Sequence, residues 1–259
     1  MRLMAVLSTC ASSFLLASCI HKGPNPVDPY ESINRETHKF NMAFDATFLK
    51  PPARLYKAVL PGPVRASINN AYENVNMIPT VGNDLLQGEL RQAGKDTWRF
   101  LINSTLGIAG FFDPASRMGL PPHSNDLGLT FAKWGNKESP YIVIPFLGPS
   151  TFRDGMGMLF EYPLLTPYPY LDSTVLTNTL IGVRYVDLRS QLFDTERLMD
   201  EALDKYAFIR DAYLQHRNYR ITGEQEQTGD SESLYVEENG ENGEKLSSNS
   251  ALGSDYVDE

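Results

Sequence analysis

His123, Ser124 and Asp126 are the side-chain types of a hydrolytic triad, in which a serine oxygen attacks while histidine takes its proton. Triad groups must converge from different directions, so three of them so close in sequence read better as a polar loop. The stretch GPSTF at 148–152 lacks the closing glycine of a G-x-S-x-G nucleophile elbow. His21, His38, His123 and His216 are widely spaced, without a paired metal-ligand motif, and read as structural or solvated. There is no G-x-x-x-x-G-K-[ST] loop for ATP. The expectation is therefore a chain with no catalytic residue, no metal and no enzymatic activity.

Charges set inside apolar sequence are more informative. In WRFLINSTLGIAGFFDP, 98–114, Arg99 is the only charge before Asp113, and Asn103 lies four residues on, on the same helical face. A charge facing lipid costs about 2.5 kcal/mol or more, so it turns to a partner or a watery cavity. Arg99 and Asn103 are accordingly candidates to line such a cavity, the channel residues if the chain encloses one. Arg153 and Asp154, between PFLGPSTF and GMGMLF, read rather as ties between helix ends. Gly107 and Gly110 suit a bend or re-entry. The stretch 141–171 mixes apolar runs with Pro, Gly and Tyr; like 98–114, it fits a membrane interface or a well-packed core around helix ends equally.

The elements that must position these groups read as helices. DPYE at 28–31 places Asp28 as an N-cap with Pro29 at the first helical position. Ile33, Phe40, Phe44 and Phe48 then predict a helix over about 29–49 that buries an aromatic stripe and stops before Pro51-Pro52. Further stripes are Val64, Ile68, Ala71, Tyr72 and Val75, then Leu90, Ala93, Trp98 and Leu101 from about residue 89. Later ones are Phe152, Met156, Leu159 and Phe160; Leu176, Leu180 and Val183; and Leu198, Ala202, Tyr206, Ile209 and Tyr213. No alternating run is long enough to require a sheet.

Leu16-Ala17-Ser18-Cys19 has the form of a bacterial lipobox behind a short apolar segment, Leu3 to Leu16, preceded by Arg2. Residues 1–18 are expected to be a lipoprotein signal peptide, with Cys19 the lipidated first residue of the mature chain. That lipid is the only non-protein group expected. Cys10 leaves with the signal, so no internal disulfide can form. Ile20 in place of Asp after the cysteine favours the outer membrane. Residues 19–27 are a lipidated linker and 28–222 a helical domain. From Gly223 onward there are 11 acidic residues and one basic residue, Lys245, which accounts for the net charge of −9. This tail, 223–259, is expected to be disordered and solubilising. With no basic stripe, nucleic acid is an unexpected partner.

DPYESINRETHKFN (28–41), RFLINSTLGIAGFFDPA (99–115), SPYIVIPFLGPSTFRDG (139–155) and DAYLQHRNY (211–219) resemble, in order, the signatures of the VacJ/MlaA lipoproteins. The resemblance implies a mainly α, ring-shaped bundle of amphipathic helices embedded in one leaflet of the outer membrane, around a central channel. It implies removal of phospholipid that has strayed to the outer leaflet, beside a trimeric porin. The lipid would pass to a soluble periplasmic carrier and then to an inner-membrane ATP-driven transport complex. The family's gating segment corresponds to about 113–135, with Pro121, Pro122, His123 and Gly128 its candidate gate residues. A different class of function, a porin-associated structural lipoprotein that moves nothing, fits the same helices.

Overall fold

The computed structural model describes residue 23 and residues 25–223. The lipobox with Cys19, the segment ahead of it and the acidic tail beyond Gly223 lie outside the described residues. Helix α1 (Glu31–Phe44) runs through a π-helical turn (Asp45–Leu49) into α2 (Lys50–Val59). The expected stop before Pro51-Pro52 is not made, because both prolines fall in the first turn of α2, where a missing amide hydrogen costs least. Nor does Asp28 cap α1; Tyr30 holds that position without a side-chain bond. The Asp28 carboxylate is instead fully buried. It accepts hydrogen bonds from Asn34 Nδ2 at 2.8 Å and from the Tyr206 hydroxyl at 2.6 Å, partners a cap could not supply.

Helix α3 (Gly62–Leu86) and α4 (Leu90–Thr105) pack along one another. The short helices α5 (Pro114–Arg117) and α6 (Leu127–Lys133) follow, each started by an aspartate, Asp113 or Asp126, that accepts from a backbone amide of the first turn. A hairpin then appears that the sequence did not demand: β1 (Tyr141–Ile144) pairs antiparallel with β2 (Gly148–Thr151), Tyr141 opposite Thr151. With four residues per strand, it is too short to give a period-2 signal. Helix α7 (Phe152–Leu165) is capped by Thr151 and α8 (Thr174–Gln191) by Ser173. The last expected helix is two, α9 (Glu196–Glu201) and α10 (Lys205–Thr222), because the chain extends at Ala202 and Asp204 caps the second. The fold is mainly α, and among the described residues no helix is long and apolar enough to cross a membrane.

The apolar stripes exist, but most face outward. Ile33, Phe40 and Phe48 of the first stripe are 44%, 47% and 63% exposed, which corrects the expectation that α1 buries them. Leu90, Trp98, Leu159 and Leu176 are likewise exposed. The interior is polar instead: Asn34, Asn83, Asp84, Asp96, Arg99 and Asn103 are buried. The main apolar cluster among the described buried residues is only Tyr141, Val143 and Tyr206. In water each exposed apolar side chain forgoes about 1.5–3 kcal/mol of burial. In hydrocarbon that penalty vanishes, and polar groups must turn inward. The sequence periods are thus those of helices that turn apolar faces outward and polar groups inward.

Candidate functional site

Helix α3 presents Asn70, Glu73, Asn74 and Met77 at spacings of three and four, a polar stripe on one face. Opposite it stand Arg99 and Asn103 of α4, Asp113 at the start of α5, and Pro122 and His123 from the run ahead of α6. These groups enclose a cavity of about 190 Å³. Arg99 donates to Asp113 Oδ2 at 2.7 Å, to Ser116 Oγ at 2.9 Å and to the Leu120 carbonyl at 2.6 Å. Asn103 donates to Asp113 Oδ1 and accepts from the Ala115 amide. Burial pushes the Asp113 carboxyl up, but the hydrogen bonds from Ser116, Arg99 and Asn103 outweigh it and hold Asp113 below its ordinary range. Both candidate channel residues therefore line the cavity while fixing the chain that closes it.

The other cavity charge is Glu73, paired with Arg184 of α8 at 2.5 Å. Arg184 also donates to Asn69 Oδ1 at 2.8 Å. The lining thus carries both signs, each matched. Asn74 donates to Ser104 Oγ, while its own carbonyl oxygen is buried without a partner. A buried amide oxygen left so costs about 1–3 kcal/mol, which water or a polar ligand in the cavity can recover.

The bend after α4 closes one side. The chain reverses through Ile108 (φ 52°), Ala109 (φ 55°) and Gly110 (φ 88°), left-handed conformations that are uncommon for alanine and strained for β-branched isoleucine. A Cβ on Gly110 would stand 2.5 Å from Asn74 Cβ, so glycine is what admits the bend against the cavity wall. Its amides are satisfied locally, Ala109 by Ser104, Gly110 by Asn103 and Phe112 by Gly107, while Leu106, Ile108 and Phe112 project outward, exposed. A turn with paired backbone and apolar side chains suits a hydrocarbon phase.

The segment expected as a hinged loop, 113–135, contains α5, an extended run and α6. Pro122 and His123 reach the cavity, whereas Pro121 is exposed and is not part of its lining. Gly128 lies within α6, buried, in a separate ionic knot. There Arg217 of α10 donates to both oxygens of Asp126, at 2.7 and 2.9 Å, and to Asp154 Oδ1 at 2.7 Å. Tyr213 donates to Asp154 Oδ2, and Arg153 donates to Asp154 and to the carbonyls of Asn136 and Lys137. Burial pushes Asp126 and Asp154 up, but Arg217 outweighs it and holds both low. The triad-type residues diverge: Asp126 faces Arg217, the Ser124 carbonyl accepts from Arg220, and His123 turns to Asp96.

That last contact was not legible as a site. His123 Nδ1 lies 2.6 Å from Asp96 Oδ2, and Asp84 completes a group of three. The Asp96 bond, the leading influence, raises the His123 pKa. Burial pushes Asp84 up to about 6 against the pull of Asn125, whereas at Asp96 the bonds from His123 and Gln92 help to outweigh burial and hold it low. The sequence signal for Asp84 was present: Thr80 and Asp84 continue the Asn70, Glu73, Met77 stripe along α3. Asp96 had no such signal.

Comparison with known proteins places this architecture. The family model for the MlaA lipoprotein matches residues 26–220. The chain is similar to the intermembrane phospholipid transport system lipoprotein MlaA of Escherichia coli strain K12, 31% identical over 221 residues, covering 81% of this chain and 85% of that one. It is 35% identical over 195 residues to an uncharacterized protein of Rickettsia bellii, covering 75% and 76% of the two chains. A solved structure described as a structural basis for maintenance of bacterial outer membrane lipid asymmetry superposes with a TM-score of 0.66 at 28% identity. It covers 75% of this chain and 98% of that one.

Proposed function

The chain belongs to the MlaA lipoprotein family, and from that premise we propose that it is an outer-membrane lipoprotein of an intermembrane phospholipid transport system that maintains outer-membrane lipid asymmetry. It acts as a passive conduit. Anchored by lipid on Cys19 at the periplasmic face, its helices lie in the inner leaflet around a central passage, and it withdraws phospholipid that has strayed to the outer leaflet. A trimeric porin holds it in place, a soluble periplasmic carrier receives the lipid, and an inner-membrane ATP-driven complex takes it onward. No bond of the lipid is made or broken.

The observation that carries this reading is a cavity lined mainly by polar and charge-paired residues, in a protein whose apolar faces point outward. A zwitterionic headgroup crosses such a space without full desolvation while its acyl chains stay with lipid. The test is the phospholipid of the outer leaflet, measured with a surface-restricted headgroup label in cells lacking the chain and in cells restored with wild type or with Asn70→Trp. The tryptophan fills the cavity. Deletion is expected to raise surface phospholipid, wild type to lower it, and the filled variant, at equal membrane abundance, to leave it high. No rise on deletion, with a normal permeability barrier, overturns the transport reading in favour of a porin-bound scaffold.

A further inference from the structure

Asp84 and Asp96 are fully buried or nearly so, on facing helices α3 and α4, and His123 reaches them from the run ahead of α6. One ligand atom from each residue lies within 4.8 Å of the other two. Asp84 Oδ1 accepts from Asn125 Nδ2 at 2.9 Å, but its Oδ2 is buried with no hydrogen-bond partner. An orphaned carboxylate oxygen beside a second buried carboxylate is among the costliest arrangements in a protein interior. No Lys or Arg side chain is paired with either carboxylate among the described ion pairs. His123 answers Asp96, but no donor reaches the second oxygen of Asp84.

We propose that Asp84, Asp96 and His123 form a binding site for a small divalent metal ion of the zinc type. Two carboxylate oxygens and one imidazole nitrogen are a ligand set that such an ion accepts, with water at the open position. Bonds of about 2.0–2.2 Å at tetrahedral angles put ligand atoms about 3.4 Å apart, so side-chain rotations that open the 2.6 Å His123–Asp96 contact and bring in the farther pair close the group on an ion. The outer shell is already built. Gln92 Nε2 donates to both oxygens of Asp96, and Asn125 orients Asp84. Asn125 is held in turn, its carbonyl oxygen accepting from Gln87. Access is by way of His123, which is partly exposed and lines the cavity. The ion ties α3, α4 and the run carrying Pro122 into one piece, so that it fixes a wall of the passage.

The site is tested with the purified full chain in detergent, stripped with chelator and titrated with Zn²⁺ by calorimetry, alongside Asp84→Asn, Asp96→Asn and His123→Gln. Wild type is expected to take up one ion, and each variant to bind at least ~10–100-fold more weakly, the loss that even outer-shell partners produce. Asp84→Asn separates ligation from folding, since the new amide still accepts from Asn125 and can donate to Asp96. It is expected to lose the ion yet melt no lower than the stripped wild type. Absence of stoichiometric uptake by wild type overturns the site and leaves a proton shared between the two carboxylates. Uptake that all three variants retain also overturns it, by assigning the ion to other groups such as the acidic tail. The readout is binding, so the result stands whether or not the transport reading survives.

Discussion

Of the arginine–aspartate pairs in this protein, the knot at Arg217 and the pair at Arg99 differ in space rather than in charge. At the knot, Arg217 meets Asp126 and Asp154 where Gly128 and Gly157 let α6 and α7 touch. A Cβ on Gly157 would stand 2.6 Å from the Gly128 amide nitrogen, and one on Gly128 2.4 Å from Asp154 Oδ1. Nothing else fits there. At the cavity, Arg99 meets Asp113 in the same chemical terms, but the α3 stripe stands back and leaves about 190 Å³ open. A buried ion pair is therefore a poor marker of function by itself; the room beside it is the better one.

The knot should give the largest effect. Arg217→Met strips Asp126, which is partly buried, of its cation and leaves buried Asp154 with Arg153 alone, and breaking a buried pair by removing one partner costs about 3–5 kcal/mol. Thermal unfolding in detergent checks this, and a loss under 1 kcal/mol would remove the distinction drawn between the two sites. Next is Gly157→Ala, whose new methyl meets backbone rather than a flexible side chain, with an expected cost of about 1–3 kcal/mol from overpacking. The matched change in the cavity wall, Asn70→Ala, should alter stability by less than about 1 kcal/mol, because it removes only a long 3.4 Å bond to the Phe111 carbonyl.

Acid sharpens the comparison. Asp126 and Asp154 have folded pKa values below their unfolded ones, so their contribution is fully present above about pH 4 and is lost as pH falls through the folded values. Stability measured from pH 6 down to pH 3 should fall in wild type and fall less in Arg217→Met, where the cation that depresses both is gone. Equal slopes would show that other carboxylates govern the acid limb. Asp113 is held low in the same way. Asp113→Asn should cost less than the knot variant, about 1–2 kcal/mol, since Arg99 keeps Ser116 and the Leu120 carbonyl and can take water from the cavity.

The sequence carried the helices because apolar residues recur at the helical period whichever way they face. Phe40 and Trp98 mark the same stripe in oil as in water, so the period could not say that the stripe would end exposed. The segments that resisted reading were those decided by distant partners. Asp28 has every local mark of a cap, yet Asn34 and Tyr206, six and 178 residues away, take it inward. Arg99 and Asn103 were visible as polar groups in apolar sequence, and the fold brings them together with Pro122 and His123. Gly128 was legible as a turn former, but its role in close helix contact depends on Gly157 and Arg217, which no local pattern joins to it.

The smallest expected effect on stability tests most directly what the open space is for. Glu73 and Arg184 form an ion pair at the rim of the cavity, with Glu73 about 40% exposed. Such pairs contribute between 0 and about 1 kcal/mol, so Glu73→Gln should melt within about 1 kcal/mol of wild type. It nonetheless removes one of the two carboxylates of the cavity lining and leaves Arg184 with Asp187, 3.6 Å away, as its carboxylate partner. If a zwitterionic headgroup travels past this pair, the variant should clear surface phospholipid at an altered rate while its fold and membrane level are unchanged. If clearance is identical, the passage does not run along the Glu73 face of α3, and the functional reading must rest on Arg99 and the run carrying Pro122 alone.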